Sequence, residues 1–223
     1  MIHTSTLKFL KDLKKNNNKP WFDANRQRYE EAKADFAAFI QKVIDKHSKN
    51  DPSIKHLTAK DCMFRINRDV RFAKDKSPYK TNFGASINKG GKKAFGSAGY
   101  YFHLEPGGSF AGGGLYGPTT EELKKTRQEI DYNLPDFKKL IGSKKFRSVY
   151  GDLDKSEEFM LSRIPRGYQA DHPAADYLRM RSYIAMIQLK DADLASKGLV
   201  KKTVEAFEAL QPVIEFFNEA LEV

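Results

Sequence analysis

The sequence predicts an α+β fold, with one domain over residues 1–223 and a mostly antiparallel sheet flanked by N-terminal and C-terminal helices. Two observations lead to this prediction. Apolar residues recur at helical spacing near both ends of the chain, whereas the middle contains short runs in which apolar and polar residues alternate. The resulting order of helices, strands, helices, strand and helix is typical of an antiparallel sheet with segregated helices.

The N-terminal region contains two predicted helices. Leucine and phenylalanine side chains in residues 7–13 fit one face of a short opening helix. The asparagines at 16–18 are expected to end it, because asparagine favours turns and caps. Asn18 can cap a second helix that has Pro20 in its first turn and continues to about His47.

Five strands are predicted, at residues 63–72, 83–88, 100–105, 109–116 and 182–189. Apolar and polar residues alternate in the first of them, whereas the last has the composition of a buried strand. In the first strand, Arg68 interrupts the alternation, which predicts a bulge. The sequence Pro106-Gly107-Gly108 predicts a hairpin turn between the third and fourth strands.

Helices are predicted on both sides of the last strand. Thr119 and Glu122 have the spacing of a capping box, so a helix is expected to begin there, and short helical pieces continue to about Leu140. A closing helix is predicted from about Leu199, with a kink at Pro212.

The composition excludes several classes of protein. The chain is 40% hydrophobic and 12% aromatic, which excludes an intrinsically disordered chain. Cys62 is the single cysteine, so an internal disulfide is excluded and a reducing compartment is favoured. The N-terminus lacks the features of a signal peptide, and no apolar run approaches the ~20 residues of a membrane span. We therefore expect a cytoplasmic protein with no membrane partner.

Positive charge is concentrated between Arg65 and Lys80. This segment has six cations and two acids, and it contributes +4 of the formal net charge of +10. Cations on a strand that also forms core contacts need a counter-charge, and arginine matches phosphate or carboxylate oxygens two at a time. We therefore predict a site for a small anionic ligand. The predicted ligand-binding residues are Arg65, Arg68, Arg71, Lys76, Tyr79, Lys80, Gly113 and Gly114.

Three side chains are candidates for catalysis at this site. Asp69 can orient an arginine or act as a base, and His103 and Glu105 lie two residues apart on one predicted strand and so share a face. Whether the protein is an enzyme stays open. The sequence contains no H-E-x-x-H motif and no paired cysteines, so neither a metal site nor a cofactor is predicted.

The glycine run at 112–117 matches G-x-G-x-x-G, but it ends a predicted hairpin instead of opening a βαβ unit. We therefore interpret the run as a place where a ligand, or another strand, comes close to the peptide groups of Gly113 and Gly114. A twisted strand edge with bulges explains the run equally well.

The basic segment matches the pattern R-x-x-R-D-x-R-F-x-x-x-K-x-P-Y-K at every specified position, from Arg65 to Lys80. The chain thereby resembles a bacterial family of domains of unknown function that has this signature. Trp21-Phe22, the strand at 101–105, the glycine run and residues 165–168 are also similar to that family. The resemblance covers nearly the whole chain and implies one cytoplasmic domain, with no activity assigned.

Three functions remain open. The first is a pocket for a small phosphate- or carboxylate-bearing ligand, with or without turnover, and a concave cationic cluster walled by glycine backbone favours it. The second is a nucleic-acid-binding module, favoured by a convex basic stripe with exposed Trp21 or tyrosines. The third is a structural or interaction protein with an internal ion-pair network, favoured by the pairing of every arginine with a carboxylate.

Overall fold

The described residues contain a sheet of four antiparallel strands. The computed structural model describes residues 1–94 and 96–222. The strands are β1 (Phe83–Ile87), β2 (Gly99–Leu104), β3 (Ser109–Leu115) and β4 (Tyr183–Leu189). They pair in the order β1-β2-β3-β4, so each strand lies beside its neighbour in sequence. The predicted α+β class with an antiparallel sheet and flanking helices is confirmed.

Helices precede the sheet, separate β3 from β4 and follow β4. In chain order they are α1 (Thr4–Lys15), α2 (Lys19–Ala24), α3 (Arg26–His47), α4 (Ala59–Cys62), α5 (Thr120–Tyr132), α6 (Leu134–Ile141), α7 (Lys144–Tyr150), α8 (Ala175–Leu178), α9 (Asp191–Leu194) and α10 (Leu199–Leu221). Short 3-10 turns lie at Pro52–Ile54, Gly91–Lys93 and Glu157–Phe159. Within the described residues, no helix is both long and apolar enough to cross a bilayer.

Two predicted caps are confirmed, and one predicted helix is corrected. Asn18 accepts a hydrogen bond from the backbone N–H of Trp21 at 3.0 Å, and Thr119 forms the capping box at the start of α5. The helix predicted as continuous to His47 is interrupted at Asn25. The Asn25 side chain donates to the carbonyl of Trp21 at 2.9 Å, and such local bonds compete with helical ones.

The chain forms two compact units. The first contains Met1–Lys92, Tyr101–Ala111 and Gln188–Glu205. The second contains Lys93–Tyr100, Gly112–Ile187 and Ala206–Val223. The prediction of one domain over residues 1–223 stays a prediction.

The core of the first unit includes aromatic contacts between α3 and the strands β1 and β2. The ring of Phe36 stacks on Phe83 of β1 with 5.5 Å between centroids, and Phe39 packs on Phe102 of β2 at 4.7 Å. Successive side chains of a strand point to opposite faces, so Tyr101 and His103 project from the other face of β2. Both are only partly buried, so this second face of β2 is accessible.

In the second unit the core is built around aromatic side chains of α6, β4 and α10. The ring of Phe137 lies 5.9 Å from that of Phe217, and Phe217 packs on Tyr183 at 5.1 Å. All three side chains are fully buried, which fixes α6, β4 and α10 relative to one another within this unit.

Residues 63–82, which we call the basic hairpin, differ from the prediction. The predicted strand at 63–72 is wrong, because the chain instead folds back as an irregular hairpin. The backbone N–H of Arg68 donates to the carbonyl of Pro78 at 2.9 Å, and that of Lys80 donates to Ile66 at 2.8 Å. Ile66 is buried as expected, but Phe72 is 95% exposed.

The carboxylates of the basic hairpin explain why no strand forms. The Asp75 side chain accepts a hydrogen bond from the backbone N–H of Ser77 at 2.9 Å. Asp69 likewise accepts from the backbone N–H of Arg71 at 3.3 Å. These local bonds satisfy backbone donors that a ladder would otherwise use, and they curve the chain into a turn.

Candidate functional site

The basic hairpin belongs to the first unit and is attached to α2 through Tyr79. The Tyr79 ring is buried and stacks on Phe22 with 3.9 Å between centroids. The Asn17 side chain donates to the Tyr79 carbonyl at 2.9 Å and accepts from its backbone N–H at 3.1 Å. Tyr79, predicted to bind ligand, therefore anchors the hairpin through its ring and its backbone.

The outer part of the hairpin, residues 68–78, is called the tip, and it contains a local ion-pair network. Arg68 pairs with Asp75. Arg71 donates to both carboxylate oxygens of Asp69, from Nε at 3.0 Å and from Nη2 at 2.7 Å. Two of the arginines predicted to bind ligand are thus paired within the tip.

Asp69 is affected by this pairing. The hydrogen bond from the Arg71 side chain lowers the pKa of the Asp69 carboxyl below its ordinary value. A carboxylate with a lowered pKa is a weaker base. The proposed catalytic role of Asp69 stays a prediction, and the geometry shows Asp69 as the partner of Arg71.

Lys76 also acts within the tip. Its ammonium donates to the carbonyl of Val70 at 3.0 Å and lies 3.5 Å from that of Arg71. The side chain therefore closes the turn between residues 70 and 76.

The inner part of the hairpin, residues 63–67 and 79–82, is called the stem, and its two cations are arranged differently. In the part of the chain that the structure describes, no acidic side chain forms an ion pair with Arg65 or Lys80. The Lys80 ammonium lies 5.5 Å from the centroid of the Phe64 ring. Burial, and secondly the charge of Arg65, lower the pKa of Lys80. The stem thus holds two neighbouring positive charges that form no ion pair in the described residues. The charge of Arg65 nevertheless contributes to the lowered pKa of the Asp69 carboxyl.

A second group of polar side chains lies on the accessible face of β2, and we call it the sheet row: Tyr101, His103 and Glu105. The Tyr101 hydroxyl lies 3.3 Å from His103 Nδ1, and His103 Nε2 lies 3.5 Å from Glu105 Oε2. Because Glu105 can only accept while ionised, this arrangement places the neutral imidazole's proton on Nε2 and leaves Nδ1 to accept from Tyr101.

His103 is held as a neutral base. Burial lowers its pKa, an effect that the neighbouring Glu105 carboxylate partly opposes. The ring also stacks on Phe110 of β3, with 4.8 Å between centroids and an angle of 7° between the planes. His103 and Glu105 share a face, as their spacing predicts, and they are in contact.

Residues of the stem contact the sheet row directly. The Thr81 hydroxyl donates to Glu105 Oε1 at 3.1 Å, and the Asn82 side chain lies 3.5 Å from His103 Nδ1. Phe64 packs near Tyr101, with 6.4 Å between ring centroids. The stem and the sheet row therefore form one continuous surface of cationic, aromatic and polar groups, which we call the candidate site.

The candidate site includes residues that the sequence reasoning missed. Lys14 of α1 lies 3.4 Å from Glu105 Oε1 and gives this carboxylate a positive neighbour. Thr81 and Asn82 directly follow the signature segment, so their position in the sequence could have indicated a role at the site. Nothing in the spacing of Lys14 indicates its proximity to Glu105.

Gly113 and Gly114 lie in the second unit, where neighbouring strands account for them. A Cβ on Gly113 would lie 2.1 Å from the carbonyl oxygen of Gly99, and one on Gly114 would lie 2.1 Å from that of Tyr183. Gly114 also has a φ of +118°, which side chains rarely adopt. The close approach predicted at these peptide groups is made by other strands, and ligand binding there stays a prediction.

The described residues offer neither a cluster of metal ligands nor an activated thiol. No group of three or more histidine, cysteine, aspartate or glutamate side chains in residues 1–94 and 96–222 is arranged to hold a metal ion. Cys62 is buried, and burial raises the pKa of its thiol to about 12, so little thiolate is present at neutral pH.

Fold and site together define an α+β protein with a basic hairpin beside the accessible face of an antiparallel sheet. The family model described as "Conserved hypothetical protein (DUF2461)" matches residues 5–216, and the chain belongs to this family. The resemblance inferred from the signature segment is thereby confirmed. No curated protein and no solved structure matches the chain.

Proposed function

We propose that the protein binds a small ligand bearing a phosphate or carboxylate group, through Arg65 and Lys80 of the hairpin stem. One observation supports this proposal above all. The tip arginines have acidic partners, whereas Arg65 and Lys80 form no ion pair in the described chain and are near enough for the charge of Arg65 to lower the pKa of Lys80. An anion between them would supply the missing counter-charge.

The electrostatics of Lys80 agree with this proposal. Its pKa is lowered by burial and by Arg65, so its charged form is disfavoured in the unliganded protein. An anion placed beside both cations offsets the repulsion from Arg65 and so favours the charged form of the Lys80 ammonium. Binding is therefore expected to raise the pKa of Lys80.

The sheet row offers a route to turnover of the same ligand. His103 is a neutral base in contact with the Tyr101 hydroxyl, and Glu105 orients the other side of its ring. This arrangement can accept a proton from, or return one to, a group bound beside the stem. We propose His103 as the group that transfers the proton and Glu105 as the group that positions it.

The alternative of a purely internal ion-pair network accounts for the tip alone. Arg68 and Arg71 are satisfied by Asp75 and Asp69, as that alternative requires. The alternative does not account for Arg65 and Lys80, because a structural role does not require two like charges near one another.

Titration calorimetry with inorganic phosphate and with citrate tests the proposal. The variants Arg65→Leu and Lys80→Met are each expected to weaken binding about tenfold or more, equivalent to about 1.4 kcal/mol. Lys74→Met removes an exposed cation from the tip and serves as the matched control, with binding unchanged. Equal affinity of Arg65→Leu and the parent protein for both anions would exclude the stem as the site.

A further inference from the structure

We propose that the hairpin tip is a second binding site, which docks single-stranded nucleic acid with an unpaired nucleobase stacked on Phe72. This site is separate from the stem and does not depend on the small-anion proposal. The argument begins with Phe72, which is 95% exposed, the largest value among the exposed large hydrophobic side chains of the described residues. Its ring is therefore free to stack on a ligand.

Several polar contacts hold the backbone of the tip on both sides of Phe72 in sequence. Lys76 donates to the carbonyl of Val70, and the Asp75 side chain accepts from the hydroxyl of Ser77 at 2.6 Å. Arg68 pairs with Asp75 across the turn. The backbone around Phe72 is thus ordered before any ligand arrives, which reduces the entropic cost of binding.

The charge of the tip indicates an anionic partner. Residues 68–78 contain four cations and two acids, a net charge of +2. Lys74 is exposed and has no ion-pair partner in the described chain, and the Arg71 guanidinium lies 5.9 Å from the Phe72 ring. A phosphodiester next to a nucleobase stacked on Phe72 would be attracted by these cations, of which Lys74 has no competing carboxylate among the described residues.

Single-stranded nucleic acid fits this combination better than other polyanions. Its unpaired nucleobases present flat faces to an aromatic ring, whereas the nucleobases of a duplex are already stacked on one another. An anionic bilayer also attracts basic loops, but membrane binding depends on buried apolar area. Phe72 is the single large apolar side chain exposed on the tip, so little apolar area is available.

Fluorescence anisotropy with a labelled oligouridylate of about 15 nucleotides tests the proposal. We expect Phe72→Ala to weaken binding about tenfold. Tyr132→Ala removes an exposed aromatic ring elsewhere, at 71% exposure, and is expected to leave binding unchanged. Lys74→Ala is expected to reduce the slope of log affinity against log salt by about 0.7, the value for one phosphate of a single strand.

Three results would overturn the proposal. The first is a parent protein that does not bind the oligouridylate, and the second is equal binding by Phe72→Ala. The third is Phe72-dependent binding to phosphatidylserine vesicles without binding to the oligonucleotide, which would assign the tip to membranes. Far-UV circular dichroism of Phe72→Ala checks its fold, and little change is expected because the side chain is exposed.

The same variants separate this proposal from that for the stem. Phe72→Ala is expected to bind inorganic phosphate as the parent protein does, whereas Arg65→Leu is expected to lose phosphate and retain the oligonucleotide. If Arg65→Leu instead abolishes oligonucleotide binding and Phe72→Ala does not, the stem binds the nucleic acid and the proposal for the tip is wrong.

Discussion

The tip and the stem of the basic hairpin each have a net charge of +2, but they reach it in different ways. The tip contains two carboxylates, and each pairs with an arginine only a few residues away. The stem contains no acid, and its cations Arg65 and Lys80 are close enough to affect one another. Paired charges order a loop, whereas unpaired neighbouring charges leave room for an anion, so equal net charge does not imply equal function.

The largest expected effect concerns the anchor that the tip and stem share. Tyr79→Ala removes a buried ring that stacks on Phe22, and we expect the free energy of unfolding to fall by about 3 kcal/mol. Urea denaturation measures this loss. Tyr132→Ala, at an exposed position of α5, is the control and should change stability by less than about 0.5 kcal/mol.

A smaller loss in Tyr79→Ala would show that the hairpin is attached mainly through its backbone. Asn17→Ala then becomes the informative variant, because the Asn17 side chain bonds both backbone groups of Tyr79. We expect it to destabilise the protein by about 1 kcal/mol.

The next prediction compares one arginine of the tip with one of the stem. Arg68→Leu removes the partner of Asp75 and is expected to lower the free energy of unfolding by a small amount, since the Asp75 carboxylate is exposed. Arg65→Leu is expected to leave stability about unchanged, because it removes both the repulsion from Lys80 and the weak attraction to Asp69. Urea denaturation of both variants at low salt measures the difference.

For phosphate binding, the larger effect is expected in the stem variant instead of the tip variant. Arg65→Leu is expected to lose it and Arg68→Leu to retain it, as measured by calorimetry on the same samples. If both variants lose stability and binding together, the proposed division between the tip and the stem is incorrect.

The third prediction concerns His103 of the sheet row. Its pKa is lowered in the folded protein, so the unfolded chain takes up a proton first as the pH falls. Stability should therefore decrease as the pH falls below the ordinary histidine pKa of about 6.5, and the decrease should end below the folded pKa. Thermal unfolding of the parent protein and of His103→Gln between about pH 8 and pH 5 measures this.

His103→Gln is expected to lose less stability over this range than the parent protein, and the exposed His56→Gln serves as control. An identical decrease in His103→Gln and the parent would mean that other groups cause the acid sensitivity.

How much the sequence predicts depends on whether an element is held by its own pattern or by distant contacts. β2 and α10 have uninterrupted apolar periodicity, and both were predicted within a few residues. The contact between His103 and Glu105 was also predictable, because it follows from strand alternation alone.

The basic hairpin could not be predicted in the same way. Its alternation of apolar and polar residues resembles that of a strand, but Asp69 and Asp75 satisfy nearby backbone donors and turn the chain. Tyr79 is held by Asn17, which lies 62 residues earlier, and no local pattern encodes such a contact. The same applies to Lys14, whose position beside Glu105 depends on how α1 packs.

The smallest expected effect tests whether the tip is ordered by its own contacts. Lys76→Met removes the ammonium that donates to the Val70 carbonyl and so loosens the turn that contains Phe72. Global stability should fall by no more than about 0.5 kcal/mol, because the contact is exposed. Chymotrypsin should nevertheless cut after Phe72 faster than in the parent protein, since proteases require locally mobile chain.

Lys74→Met is the matched control for this measurement, because it removes a neighbouring exposed cation that has no ion-pair partner in the described chain. It should be cut at the parental rate, and both variants should bind phosphate as the parent does if the stem is independent of the tip. An unchanged cleavage rate in Lys76→Met would show that the Arg68–Asp75 pair alone orders the tip. The role of Lys76 would then have to be sought in ligand binding, as the sequence first indicated.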